Sequence, residues 1–111
     1  MKKEFFLKPE QIRPLTDETG GGYASDRIVV DGAKVGYMYR EAPDHDSDSG
    51  WRFLAGDEND EYMNNADHFG IYHLNHIANI DADIVPFLGA PQGSAFIRNG
   101  EDGKLLPDTE A

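Results

Sequence analysis

The sequence predicts an α+β fold: a small, mainly antiparallel sheet of about four to five strands with one or two short helices packed on it. Three observations carry this reading. Short β-prone runs recur at residues 33–40, 51–55 and 94–98, the first two with clear two-residue alternation. One stretch, residues 70–80, spaces Ile71, Leu74, Ile77, Ala78 and Ile80 by threes and fours, the period of an amphipathic helix. The chain has 111 residues, 39% of them hydrophobic, with six Phe, five Tyr and one Trp. A chain of this size buries roughly two-thirds of the surface it exposes when unfolded, enough for one core and not two.

Residues 1–22 read as an N-terminal arm and Gly-rich connection. Phe5, Phe6, Leu7, Ile12 and Leu15 offer apolar contacts, Pro9 and Pro14 exclude a long helix, and Asp17-Glu18-Thr19-Gly20-Gly21-Gly22 is a flexible link. The ordered α+β domain is expected over residues 23–98, with 99–111 a C-terminal turn and tail. Residues 25–32 admit two readings. Arg27-Ile28-Val29-Val30 is a β segment turned by Asp31-Gly32 into a hairpin with 33–40, or Ser25 caps a short helical turn; the hairpin is the preferred expectation. Within 33–40, Val35, Tyr37 and Tyr39 share one face.

An acidic loop, 41–50, leads into a strand at 51–55 that puts Trp51, Phe53 and Ala55 on one face and Arg52 and Leu54 on the other. Gly56 opens a second acidic stretch. The start of the helix in 70–80 stays open, because Gly70-Ile71-Tyr72 equally ends a strand, with helix from about Leu74. Asp81-Ala82-Asp83 breaks the chain, and residues 84–88 form a further helical turn despite Pro86, closed by Gly89. Residues 94–98 are the last core strand, Asn99-Gly100 a turn, and Lys104-Leu105-Leu106 an edge strand. The last four or five residues are expected to fray.

Charge narrows the function. Ten Lys and Arg face 21 Asp and Glu, a net charge of −11. Residues 41–61 hold eight of the acids (Glu41, Asp44, Asp46, Asp48, Asp57, Glu58, Asp60, Glu61) against Arg52 alone. A nucleic-acid binder needs the opposite sign, and an anionic membrane surface repels such a segment, so cations and basic protein surfaces remain as partners. No run approaches the roughly 18 apolar residues of a membrane span, and Lys2-Lys3 is followed by too short an apolar run for a secretory signal. A cytoplasmic address is expected. The lack of cysteine excludes disulfides, thiolate zinc sites and thiol catalysis.

Asp44-His45-Asp46-Ser47-Asp48-Ser49-Gly50 has carboxylates at alternate positions, like the start of an EF-hand loop. Yet Ser49 stands at the sixth position where that loop needs Gly, and Ala55 at the twelfth where it needs Glu. Asp57-Glu58-Asn59-Asp60-Glu61 fails the same template. His73 and His76 share a face if both are helical, but no H-E-x-x-H pattern or firm third ligand completes a zinc site. No G-x-S-x-G, phosphate loop or distinguished carboxylate pair is present, so no enzyme, metal or cofactor is expected. Arg40 and Arg52 border the acidic loops, placed for two-pronged contacts with Glu41, Asp48 or Asp57 that shape the loops. Trp51 suits either a core or an interface anchor.

Two runs carry a resemblance. They are Val35-Gly36-Tyr37-Met38-Tyr39-Arg40-Glu41-Ala42-Pro43, with Asp48-Ser49-Gly50-Trp51-Arg52-Phe53 and Gly56-Asp57-Glu58, and then Gly70-Ile71-Tyr72-His73-Leu74-Asn75, with Ile77-Ala78-Asn79-Ile80-Asp81, Pro86, Leu88, Pro91 and Gly93-Ser94-Ala95-Phe96. Over residues 23–98 the chain resembles a bacterial family of domains of unknown function grouped with immunity protein 33. The resemblance implies a protein that binds and blocks a co-encoded toxin of a polymorphic toxin system. It carries over no catalytic residues. Joined to the charge pattern, it points to a basic toxin partner occluded through loops 41–50 and 56–62. The expected contacts are Asp44, Asp46, Asp48, Asp57, Glu58, Asp60 and Glu61, with Trp51 or Tyr62 as anchor. A regulatory or accessory binding module with no toxin partner is the alternative.

Overall fold

A computed structural model describes residues 4–108. Positions 1–3 and most of the terminal stretch expected to fray lie outside the described residues. Six strands, β1 (Gly21–Ser25), β2 (Tyr37–Arg40), β3 (Asp48–Leu54), β4 (Phe69–His73), β5 (Ala95–Arg98) and β6 (Leu105–Pro107), form one sheet in the order β4-β1-β3-β2-β5-β6. All neighbours are antiparallel except β1 and β3. The helices are short: α1 (Asp26–Val29), α2 (Asp60–Met63) and α3 (Leu74–Ile80), with a 3-10 helix at Ala82–Phe87. The α+β class and mainly antiparallel sheet agree with the sequence reading, with six strands in place of four to five.

The N-terminal half departs from expectation in two places. The glycine run is not a flexible link: Gly21 and Gly22 open strand β1, at the centre of the sheet's β4 side. A Cβ on Gly22 would meet the Phe53 ring at 2.8 Å and the Trp51 carbonyl at 3.0 Å, so a residue without a side chain lets β1 lie against β3. The expected hairpin strand at 27–30 is instead helix α1, entered from an extended Ser25. Ile28 and Val29 are fully buried, and packing overrides their β preference.

At 69–80 the strand-then-helix alternative is the one adopted. Phe69–His73 pairs with all of β1, and α3 begins at Leu74. Hence His73 ends a strand and only His76 is helical, so the shared helix face considered for a zinc pair does not form.

In register across the sheet, Ala24, Phe53, Met38 and Phe96 point to one side. There they form the core with Ile28 and Val29 of α1, Leu74, Ile77 and Ala78 of α3, and Ile84 and Leu88. Trp51 stacks on Phe53 at 6.1 Å, and its indole N–H donates to the Leu88 carbonyl at 3.0 Å. The arm is pinned onto this helical layer. Phe6 N–H donates to the Val29 carbonyl at 2.7 Å, and Asn75 and Asn79 accept from the amides of Leu15 and Arg13.

Among the described residues the other side of the sheet is covered only in part, by the α2 region: Met63 and Ala66 border one cavity with Tyr23, Tyr39 and Arg52. The register line of that side runs through Ile71, Tyr23, Arg52, Tyr39 and, one pair further along, Leu54, Tyr37, Ile97 and Leu106. Ile71, Ile97 and Leu106, on the outer strands, are exposed by 39%, 48% and 43%, whereas at the centre Arg52 is buried and Tyr23, Tyr37, Tyr39 and Leu54 are half-buried, so this face is open towards its edges.

Candidate partner-binding surface

Strand β3 carries one acidic loop at each end. A straight strand of seven residues would span about 20 Å; β3 is shortened by a register slip against β1, but it still holds the two loops at opposite ends as separate patches.

The first loop is built on a buried ion pair. Asp48 accepts from Arg52 Nη1 at 2.8 Å and Nη2 at 2.9 Å, and from the amides of Asp44 and Gly50, both at 2.8 Å. The guanidinium's hydrogen bonds hold the Asp48 carboxyl well below the ordinary carboxylate range, against the opposing effect of burial. Arg52 Nε donates to Glu41 at 2.6 Å, and the Arg52 guanidinium lies 4.7 Å from the centre of the Tyr23 ring. Gly50 makes this geometry possible. Its φ of +95° and the closeness of the Glu41 carbonyl to where a Cβ would stand restrict the position to glycine. Of the contacts expected for Arg40 and Arg52, those of Arg52 with Glu41 and Asp48 form. Arg40 instead donates to the carbonyls of Ser49 and Ala90 and lies over the Trp51 ring, while Asp57 pairs with Arg27.

The second loop hangs on Glu58, which accepts from Ser25 Oγ at 2.6 Å and from the amides of Ala55 and Gly56 at 2.8 and 2.9 Å. Burial alone would raise its pKa, but the Ser25 hydroxyl and these amides outweigh it and the pKa falls. Asp57 is held low by its hydrogen bonds with Arg27, which also pairs with Asp31 at 2.7 Å. Asn59 then caps α2 by accepting from the Tyr62 amide, leaving Asp60 and Glu61 exposed in the first turn. Tyr62 stacks on His68 with ring centres 4.0 Å apart.

The nine expected contact residues therefore fall into three groups. Asp44, Asp46, Asp60 and Glu61 are exposed, as is Asp57 in its pair with Arg27, and Tyr62 is half-buried. Asp48 and Glu58 direct their carboxylates into the protein's own backbone and side chains. Trp51 has no exposed surface, so the anchor reading gives way to the core reading. Asp48 is drawn into the sheet because β3 begins there, three residues earlier than its apolar pattern suggests, and Trp51 is buried because it shares the core-facing side of the strand with Phe53.

Sequence reasoning missed the sheet face between the loops. A cavity of about 360 Å³ there is bordered by Tyr23, Tyr39, Glu41, Arg52, Met63 and Phe69. A second, of about 890 Å³, lies over Tyr37, Leu54 and Ile97, with Asp57 and Glu58 at its edge. The available signal was apolar residues on both parities of β2, β3 and β5, which a sheet covered on one side does not require. Among the described residues, no three His, Asp or Glu side chains converge as a metal ion would need, and no helix is long and apolar enough to cross a membrane.

Fold and surface together define a small α+β domain with one helical layer, a second, partly covered sheet face carrying Tyr23, Tyr37 and Tyr39, and acidic loops at both ends of β3. Residues 22–108 match the immunity protein Imm33 domain, and the chain belongs to that family. Membership implies a protein partner such as a toxin and suggests a non-catalytic role. No curated protein and no solved structure gave a significant match to the chain.

Proposed function

We propose that this chain is a non-catalytic, cytoplasmic immunity protein that neutralises a basic toxin domain by stoichiometric occlusion through loops 41–50 and 56–62. The observation that carries the proposal is the charge excess of residues 41–61, eight acids against one arginine, divided between the two ends of β3. Such a surface steers a cationic partner and raises its association rate. A nuclease-like toxin, whose site expects phosphate, has the complementary sign.

Asp44, Asp46, Asp57, Asp60 and Glu61 are the proposed direct contacts, with Tyr62 beside them. Asp48 and Glu58 hold the loops in shape, with Trp51 in the core behind the first.

Co-expression with the adjacent reading frames tests this. Toxicity of a neighbouring product relieved by this chain, with a one-to-one complex on purification, is the expected result. Relief by none of the neighbours overturns the proposal. Replacing Asp44, Asp46, Asp60 and Glu61 by Asn or Gln should slow association most at low salt; equal protection and unchanged association rates would exclude the acidic loops as the steering surface.

A further inference from the structure

We infer that the toxin does not stop at the loops but docks across the sheet face between them, placing an arginine or lysine side chain in the cavity between Tyr39 and Met63 beside Glu41. This rests on the immunity reading above and names the part of the surface that holds the partner.

Size argues first. The face of six strands at about 4.8 Å spacing, each about 15 Å long, projects on the order of 350 Å². A stable complex buries about 800 Å² per partner, more than this face or either loop supplies alone. A partner that bridges the two acidic loops, at opposite ends of β3, must lie over what separates them. That is the half-buried Tyr37, Tyr39 and Leu54, with the buried Arg52 between them.

Composition argues second. Interface centres are rich in Tyr, Met and Arg, with charged residues at the rim. Here Tyr37 and Tyr39 pack side by side, ring centres 5.6 Å apart, with Met63 and Ile97 exposed by 41% and 48%. Carboxylates stand at both rims, Glu41 and Asp44 at one and Asp57 at the other.

Charge identifies the occupant. One oxygen of Glu41 accepts from Arg52 Nε, and the other is left for a second donor at the cavity's edge. Tyr39 lines the same cavity, and aromatic rings attract a guanidinium or ammonium. The cations at the two cavities do not oppose this: Arg52, which borders the near one, is held by Asp48 and Glu41, Arg98 is held by Asp81 and Asp83, and Lys34 lies 4.0 Å from Asp83.

The test uses the full chain and the toxin domain whose toxicity it relieves. Tyr39→Ala and, separately, Ile97→Arg are expected to weaken toxin binding by about 30-fold or more, the scale of an interface hot spot. Ile97→Arg alters an exposed side chain, so its melting temperature should stay at the wild-type value. Hydrogen exchange should slow at residues 37–41 and 52–54 in the complex. Wild-type protection with unchanged affinity in both variants overturns the sheet-face inference while leaving the immunity reading intact. Wild-type chain that binds no neighbouring toxin overturns both. Should the free chain be a dimer that Ile97→Arg makes monomeric with toxin affinity unchanged, the face belongs to a second copy and the inference is wrong.

Discussion

Arg52 and Asp48, four residues apart on one strand, meet in a two-pronged ion pair with side chains 9% and 0% exposed. A straight strand would hold their Cα atoms about 13 Å apart. The register of β3 against β1 slips between Gly21 and Tyr23, and the irregular strand brings Asp48 within reach of the guanidinium. The pair thereby joins the acidic loop to the middle of the sheet, where Arg52 lies between Tyr23 and Tyr39.

Removing Asp48 strips the buried guanidinium of its two-pronged partner and leaves it only the exposed Glu41, while the Asp44 and Gly50 amides lose their acceptor. Asp48→Ala is expected to destabilise the chain by about 3 kcal/mol, and Arg52→Lys by less, since an ammonium keeps the charge but not the fork. Urea unfolding of the two variants checks the order; equal stability of wild type and Asp48→Ala would show that the pair does not hold the loop.

Acid should unfold the protein in two stages. His76 Nε2 is buried without a hydrogen-bond partner, and burial, with a smaller contribution from His73, lowers the pKa from 6.5. Phe5 and Tyr72 pack on its ring, and His45 and Asp46 border the same cavity. Because the folded value is depressed, stability from this group is complete above pH 6.5 and declines as pH falls from there through the folded pKa. Asp48, Asp57 and Glu58 are depressed from 3.8, 3.8 and 4.5, so their loss begins only near pH 4.5 and below. Melting temperature against pH should show both limbs, with His76→Leu abolishing the upper one.

Glu58 closes the loop after β3 by serving three donors. Glu58→Gln removes the charge and replaces one acceptor oxygen with a donor group, and the expected loss is about 1 to 2 kcal/mol. Amide exchange at Ala55 and Gly56 should accelerate by a matching factor while exchange in α3 follows only global stability. Uniform acceleration throughout the chain would mean the loop is not separately anchored.

Trp51 reports on the core and not on the partner. Its emission should be blue-shifted and protected from iodide, and toxin binding should leave both properties unchanged. Trp51→Ala is expected to cost about 3 to 5 kcal/mol, as for other buried aromatics. Iodide quenching in the free chain that disappears on binding would return Trp51 to the interface.

Much of the chain was legible because local pattern and final environment agree. The amphipathic spacing of Leu74, Ile77 and Ala78 specifies α3, and the apolar runs around Phe53 and Phe96 specify two sheet strands, since one face of each meets the same core. The family resemblance lay in those same segments. The acidic character of residues 41–61 was likewise plain, because charge is a sum that needs no coordinates.

Other features depended on contacts distant in sequence. Gly21-Gly22 carries no local β preference and becomes strand only because β3 and β4 flank it and leave no room for a side chain. Arg27-Ile28-Val29-Val30 has β-prone residues and becomes helix because Ile28 and Val29 reach the core that way. The same holds for the charges: composition alone made Asp44, Asp48, Asp57 and Glu58 equivalent. Only the fold separated them, by giving Asp48 to Arg52 and Glu58 to Ser25 and the backbone while leaving Asp44 exposed. The sequence by itself determined the class of fold, the family and the sign of the surface. Tertiary structure decided which carboxylates are exposed and that half-buried tyrosines lie between them, because burial and pairing belong to neighbours in space, not in sequence.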